Sequence, residues 1–169
     1  MSPFRLIALV GLVALFLGAV AVDDAVAGER HKTRGAKHVV KWQPIEVPAM
    51  EGEVLASFEE KAIEFNLGGK SFFEGWLHQT VGLVGVNQKT GVGSSHGYCV
   101  YTDRDGDKVC ARFEGEKVQG DPHWRGTGII VKGSGKWEGI EGKCTWVSTS
   151  VAPGQSYADY EWDIELPRR

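Results

Sequence analysis

The chain has 169 residues, a formal net charge of −3 at pH 7 and 42% hydrophobic residues. This length suits one domain with one core, and a charge so close to zero argues against nucleic acid as a partner. The 23 glycines are about twice the average usage, which favours a fold of short strands and turns.

Residues 1–27 predict a secretory signal peptide. The positive Arg5 precedes the apolar run LIALVGLVALFLGAVAV, and Ala25-Val26-Ala27 places small residues where a signal peptidase cleaves. The alternative is an uncleaved membrane anchor, because the run approaches the roughly 20 residues that span a bilayer. No second run of this kind follows in the sequence. We therefore expect a secreted or periplasmic protein with no integral membrane segment after cleavage.

Residues 28–51 have the composition of a flexible arm. The stretch ERHKTRGAKHVVK, residues 29–41, is basic, and two prolines follow in QPIEVPAMEGE. Such a segment is typically solvated and disordered, with contact to acidic headgroups as the alternative. We predict a disordered N-terminal arm over 28–51 and a folded domain over 52–169.

The folded domain is predicted to be all-β. Short runs rich in Val, Ile, Phe, Tyr and Trp alternate with glycines, and no amphipathic helix is evident. The predicted strands are Val54–Phe65, Ser71–Val81, Ser95–Thr102, Lys108–Glu116, Thr127–Val131, Lys143–Ser150 and Ala158–Leu166, with a further strand within Val81–Val92.

The segment HGYCVYTDRDGDKVCARFEG predicts a hairpin. Asp103 and Gly106 fit the ends of a type I turn around Arg104-Asp105. In that register Val100 faces Val109, and alternation divides the hairpin into two faces. The first face holds Tyr98, Val100, Val109, Ala111 and Phe113, and the second holds Cys99, Tyr101, Cys110, Arg112 and Glu114.

This register predicts a disulfide between Cys99 and Cys110, with Cys144 free. Directly opposed residues have Cβ atoms about 4.5–5.5 Å apart, near the about 3.5–4.5 Å of a disulfide, and disulfides persist in exported proteins. A two-residue turn at Asp105-Gly106 would instead place Cys99 opposite Arg112. Three reduced cysteines and a Cys110–Cys144 bond are the alternatives.

Two patterns that suggest catalysis or metal binding are better explained as turns and strands. Gly93-Ser94-Ser95-His96-Gly97 matches the G-x-S-x-G elbow of hydrolases, but a strand follows where the elbow needs a helix. The aspartates of the hairpin turn resemble a calcium loop, but its required glycine is displaced and strands flank it. We predict that Ser95 is an ordinary strand residue, that the protein is not a serine hydrolase, and that it has no metal site and no cofactor.

The segment GSGKWEGIEG, residues 133–142, resembles the G-x-G-x-aromatic-x-G-hydrophobic-x-G element of allene oxide cyclase-like barrels and, more loosely, of dirigent proteins. The preceding hairpin also resembles the strands that come before this element in the family, and the likeness extends across 52–167. Glycines allow sharp corners between strands, and Trp137 and Ile140 can close the barrel end. The resemblance implies an eight-stranded antiparallel, calycin-like barrel, often oligomeric, with an apolar cavity.

The resemblance also implies a candidate catalytic residue. Allene oxide cyclases perform a cofactor-free cyclisation assisted by a glutamate on the first strand. The segment ASFEEKAIEF places Glu59 at that position, although Lys61 replaces the family's asparagine. Alternation leaves open whether Glu59 or Glu60 points inward, and both could be solvent-facing strand residues.

Two functions follow from these observations. The first is a secreted barrel that binds a small apolar ligand or assembles into a homo-oligomer. The alternative is a cofactor-free cyclase or isomerase for a lipid-like or polyketide-like substrate. A mostly apolar pocket with a few polar groups would suit either function. The predicted ligand-binding residues are Trp76, His78, Tyr101 and Arg112.

Overall fold

A computed structural model describes residues 29–45, 52–68 and 72–166. Eight strands form a closed antiparallel barrel in which each strand pairs with its neighbours in the chain and the first pairs with the last. The strands are β1 (Glu29–Ile45), β2 (Glu53–Asn66), β3 (Leu77–Asn87), β4 (Gly93–Thr102), β5 (Lys108–Lys117), β6 (Trp124–Gly133), β7 (Glu141–Ala152) and β8 (Gln155–Glu165). The predicted all-β, eight-stranded antiparallel barrel is confirmed.

The predicted flexible arm is wrong over residues 29–45, because these residues form β1. Arg34 on the outer face of β1 forms an ion pair with Asp159 of β8, with Nε 2.5 Å from Oδ1, and Lys32 pairs with Glu161. The basic side chains therefore cross-link two strands. The barrel begins at Glu29 rather than near Gly52. The predicted signal peptide, residues 1–27, lies outside the described residues.

The eighth strand is thus β1. A separate strand within Val81–Val92 is not formed, because β3 runs without a break from Leu77 to Asn87. Residues 72–75 form a turn before it. Among the described residues the only helix is a short 3-10 turn at Gly135–Trp137. It follows that no helix in this part of the chain is long and apolar enough to cross a membrane.

The β4–β5 hairpin forms, but its register differs by one residue from the prediction. Val100 pairs with Cys110, and Cys99 pairs with Ala111, because the turn contains five residues, Asp103 to Asp107, closed by the Asp103 N–H donating to the Asp107 carbonyl over 3.0 Å. A one-residue slip changes every cross-strand pair and both predicted faces. Cys99 points into the barrel, whereas Cys110 lies on the outer face.

The predicted Cys99–Cys110 disulfide is therefore not formed. The two side chains lie on opposite faces of the sheet, and Cys99, Cys110 and Cys144 are free thiols. Neither the four-residue nor the two-residue turn considered from the sequence gives the observed register.

Aromatic side chains close one end of the barrel. Phe73 is fully buried, and its ring centroid lies 5.2 Å from that of Trp76 and 5.1 Å from that of Trp162. Trp137 of the glycine element packs on Phe72 at 4.7 Å, and Ile140 is buried beside it, as the sequence predicted. This closed end fixes the floor of the interior.

Candidate functional site

A cavity of about 250 Å³ occupies the rest of the barrel interior. Its walls include buried residues such as Cys99, Tyr101 and Ala111, and its rim includes the exposed Trp42 and Gln155. The cavity therefore extends from the middle of the barrel to solvent at the end opposite the aromatic cluster. The main apolar side chains that line it are Phe58, Val84, Phe113, Trp124, Trp146 and Trp162.

An ion pair faces this cavity. Lys37 of β1 and Glu60 of β2 both line the cavity wall, with Nζ 2.8 Å from Oε2 and both side chains nearly buried. Burial disfavours the charged ammonium, but Glu60, Cys99 and Glu64 together outweigh that effect and raise the pKa of Lys37 above its ordinary value. The cavity therefore holds a fixed cation and a fixed anion within apolar walls.

A buried hydrogen-bond chain lies beside the cavity. His78 Nδ1 lies 2.8 Å from Glu64 Oε1, and both side chains are 0% exposed. His78 Nε2 lies 2.8 Å from Thr80 Oγ1, which in turn lies 3.5 Å from Cys99 Sγ. The four side chains project from β2, β3 and β4, and Thr80 and Cys99 also line the cavity.

The charges of this chain are coupled. Burial opposes protonation of His78, but Cys99 and the Glu64 carboxylate outweigh it and raise the pKa of His78 to about 9. Burial likewise opposes ionisation of Cys99, yet the charge and hydrogen bond of His78, with Lys37, lower the pKa of the thiol. Each group thus favours the charged form of the other, and the Thr80 hydroxyl lies between them within hydrogen-bond distance of His78 Nε2.

Two tyrosines also line the cavity. Tyr101 of β4 and Tyr160 of β8 are buried and line the cavity. Burial raises the pKa of both phenols well above the ordinary value. Both side chains are therefore neutral at physiological pH and present hydroxyl groups.

The four predicted ligand-binding residues occupy different environments. Tyr101 lines the cavity, whereas His78 belongs to the buried chain behind it. Trp76 packs in the aromatic cluster at the closed end. Arg112 borders the cavity at one point of the wall, but its side chain is exposed on the outer face of β5, opposite to the face that carries Tyr101.

The predicted catalytic Glu59 points outward. Its Oε1 accepts a hydrogen bond from Nε2 of the exposed Gln79 over 2.8 Å, whereas the neighbouring Glu60 faces the cavity. Alternation had left open which of the two glutamates points inward, and it is Glu60 that does so. Ser95 lines the cavity while His96 is exposed on the other face, so the adjacent histidine is not its partner.

Lys37, Glu64 and Thr80 were not identified from the sequence. Lys37 and Glu64 lie on strands in which charged residues occur in both alternating sets, so periodicity did not show which set faces inward. The observed pairing, with Lys37 opposite Ala62 and Glu64 opposite Gly35, is what places them inside. Residues 29–41 were not predicted to form a strand, so this pairing could not be used to decide which side chains face inward.

Solved structures of other proteins share this fold. A protein of unknown function from the DUF3224 family of Shewanella oneidensis MR-1 is 18% identical, with a TM-score of 0.56, over 83% of this chain and 100% of that chain. The pterocarpan synthase dirigent protein GePTS1 is 13% identical, with a TM-score of 0.54, over 83% of this chain and 91% of that chain. For the pterocarpan synthase dirigent protein PsPTS1 the values are 12%, 0.52, 85% and 99%.

These likenesses show a shared barrel fold. The chain matches no protein-family model and no curated protein. The class defined by the fold and cavity is a closed β-barrel with an interior that opens at one end.

Proposed function

We propose that this protein binds a small, mostly apolar molecule in the open end of the barrel. The observation that carries the proposal is the cavity of about 250 Å³ with aromatic walls and an inward Lys37–Glu60 pair. A dry cavity of about 150 Å³ holds benzene, and ligand sites begin near 300 Å³. A ligand of one or two rings, or a short branched chain, with one polar group fits this volume.

Filling the cavity tests the proposal. Ala111 is buried in the cavity wall, whereas Ala36 is exposed on the outer face of β1. We expect Ala111→Leu to weaken binding of the two-ring fluorophore 1-aminonaphthalene at least tenfold, and Ala36→Leu to leave it unchanged. Ser148→Phe, at another point on the wall, serves as the second cavity variant if Ala111→Leu does not fold. Equal binding by wild type and both cavity variants would contradict the proposal.

A cofactor-free cyclase or isomerase is the second candidate. It is supported by the fixed charges of Lys37 and Glu60 beside the neutral Tyr101 and Tyr160 hydroxyls, and by the resemblance to allene oxide cyclases. Two of the structures that share the fold are described as pterocarpan synthase dirigent proteins. In this reading Glu60, rather than Glu59, polarises the substrate.

The two adjacent glutamates provide a matched test of catalysis. Native mass spectrometry of gently purified protein identifies any co-purified lipid or terpenoid, which is then incubated with the protein. We expect Glu60→Gln to slow its conversion at least tenfold and Glu59→Gln to leave the rate unchanged. Binding without conversion would leave the ligand-binding function and reject the enzyme.

We also propose that the protein self-associates through apolar residues on the outer face of the barrel. Val81, Leu83 and Tyr98 are exposed apolar residues on the neighbouring strands β3 and β4, where Val81 pairs with Tyr98. Exposed apolar surface of this kind marks contact sites between proteins. Sedimentation of wild type and of Leu83→Lys tests the proposal, with a shift to a smaller species expected for the variant.

Export is proposed from residues 1–27. β1 begins at Glu29, two residues after Ala27, so cleavage at that point would leave the barrel complete. N-terminal sequencing of protein from the periplasm or medium should begin at Gly28.

A further inference from the structure

We propose that Cys99 is a nucleophile that adds to α,β-unsaturated carbonyl compounds in the cavity, with Glu64, His78 and Thr80 as its proton relay. The proposal rests on the ligand-binding function proposed above and names the chemical class of the ligand. Cys99 lines the cavity, and its sulfur is the end of a continuous chain of buried polar groups.

The geometry of the chain permits a proton to leave the thiol. With a neutral imidazole, Nδ1–H of His78 donates to Glu64 and Nε2 accepts from the Thr80 hydroxyl, whose oxygen accepts from the Cys99 thiol. When the thiol proton passes through Thr80 to Nε2, the directions of the last two bonds reverse. Glu64 then stabilises the imidazolium, and Thr80 donates to the thiolate. A carboxylate that orients a histidine behind a nucleophile is the general arrangement of an activated nucleophile.

The residues that line the cavity indicate which class of electrophile would react with Cys99. A thiolate is the reactive form of cysteine, and conjugated carbonyl compounds are apolar enough for the aromatic walls. Lys37, Tyr101 and Tyr160 line the same cavity and can donate hydrogen bonds to a carbonyl oxygen. Donors directed at a developing oxyanion stabilise the transition state of such an addition.

The reaction is balanced without a further reactant. The thiolate sulfur forms a bond to the β-carbon while the carbon–carbon π bond breaks. The electron pair of that π bond forms a double bond between the α-carbon and the carbonyl carbon, and the carbonyl π pair moves to oxygen to give an enolate. The proton held on His78 returns to the α-carbon as the enolate collapses. The product is a thioether in which S–H has been added across the double bond.

The three cysteines give an internal comparison. Cys110 lies on the outer face and is the more exposed thiol, while Cys99 is 6% exposed. Burial raises the pKa of Cys110 and of Cys144, whereas His78 lowers that of Cys99. Accessibility alone therefore predicts labelling of Cys110 first, and the proposal predicts labelling of Cys99 first.

The experiment treats the full-length protein with cyclohex-2-en-1-one and maps the adducts by peptide mass spectrometry. We expect Cys99 to react at least tenfold faster than Cys110 at pH 7. Because a lowered pKa keeps the thiolate present at lower pH, the ratio of the two rates should increase from pH 9 to pH 7. Thr80→Val removes the relay hydroxyl with little change of shape, and it should slow Cys99 at least tenfold without affecting Cys110. His78→Gln provides a second relay variant if Thr80→Val does not fold.

The saturated ketone cyclohexanone separates this proposal from the proposed function. If cyclohexanone displaces 1-aminonaphthalene but cyclohexenone does not label Cys99, the cavity binds ligands and the nucleophile is rejected. Faster labelling of Cys110, or a Cys99 rate and pH profile unchanged in the folded relay variant, also overturns the inference. Failure of the wild-type protein to bind the fluorophore counts against the cavity function itself.

Discussion

At the scale of single residues, the buried carboxylate of Glu64 depends on the absence of a side chain at Gly35. Glu64 is fully buried, and its Oε1 would lie 2.7 Å from a Cβ atom added at Gly35, which pairs with it across β1 and β2. A buried charge is tolerated only when it is paired and hydrogen-bonded. Gly35 therefore permits the position from which Glu64 reaches His78.

Gly35→Ala should disrupt this contact. The added methyl group would meet Glu64 and, at 3.4 Å, the Tyr160 ring, and the fully buried carboxylate has no solvent to move into. We expect a loss of about 1–3 kcal/mol in the free energy of unfolding, measured by urea denaturation. Gly68→Ala, where the added methyl group meets nothing within 4 Å, is the control. A similar small change in both variants would show that Glu64 can relocate freely.

Residue identity alone predicted part of this site. His78 and Tyr101 were among the predicted ligand-binding residues, because a histidine and a tyrosine within apolar strands are recognisable polar groups. Glu60 and Glu64 could not be assigned to a face, because EVLASFEEKAIEF carries both charged and apolar residues in each alternating set. Which set faces inward depends on the pairing with β1, and that strand was not predicted.

At the scale of elements, β1 shows why composition misled the prediction. Its inner positions hold small or polar residues, including Thr33, Gly35 and Lys37, so no apolar alternation marks it as a strand. Its outer basic residues complement Asp159 and Glu161 on β8. A stretch that resembles a solvated arm in isolation is therefore a strand once its partner strand supplies the opposite charges.

The β4–β5 turn is a second element whose detail was beyond the sequence. The side chain of Asp103 accepts hydrogen bonds from the N–H groups of Asp105 and Asp107 over 2.9 and 3.0 Å. It also accepts from Trp137 Nε1 at 2.9 Å and pairs with Lys136 Nζ at 2.8 Å. The last two contacts come from a segment about thirty residues away, so local turn statistics could not include them.

Asp103→Asn should destabilise the protein and alter its response to acid. Burial raises the carboxyl pKa, but Lys136, Trp137 and the turn N–H groups outweigh it and lower the pKa of Asp103. A lowered pKa contributes stability above the unfolded value near 3.8, and that stability is lost as the pH falls through the folded value. We expect the free energy of unfolding of the variant to be about 2 kcal/mol lower at pH 7. We also expect the part of the acid-induced loss of stability that comes from Asp103 to be absent in the variant.

The control for the turn is Asp105→Asn. Asp105 is largely exposed and pairs only through its side chain with Lys136, and an exposed pair of this kind contributes about 0–1 kcal/mol. Urea denaturation of both variants from pH 7 down to pH 3 makes the comparison. If Asp105→Asn were the more damaging change, the turn would depend on charge rather than on the hydrogen bonds of Asp103.

At the scale of the whole molecule, the barrel has two unlike ends. The connections β2–β3, β4–β5 and β6–β7 meet at one end, where the aromatic cluster and the glycine element close the interior. The other end carries the β3–β4 and β7–β8 turns and the rim residues Trp42 and Gln155. While the aromatic cluster remains intact, a ligand can therefore enter the interior only through the opposite end.

The barrel fold was predictable because strand spacing and glycine corners are properties of the whole sequence. The resemblance of GSGKWEGIEG to a known element also placed Trp137 and Ile140 correctly at a barrel end. The depth of the cavity was not predictable, because it depends on how Phe72, Phe73 and Trp76 pack against one another at the closed end of the barrel. Phe72 and Phe73 lie in the turn over residues 72–75 and Trp76 follows it, whereas the strand predicted from the sequence, Ser71–Val81, included all three.

Phe73→Ala tests the role of the closed end in the stability of the whole barrel. Phe73 is fully buried, and its ring centroid lies 4.6 Å from that of Tyr101 at the cavity floor. Removing a buried phenylalanine side chain costs about 3–5 kcal/mol, and the space left would extend the cavity towards the closed end. We expect a decrease of that size in the free energy of unfolding. Phe65→Ala, at an exposed position on β2, should cost about 0.5 kcal/mol or less, and equal losses in the two variants would show that the cluster does not support the barrel.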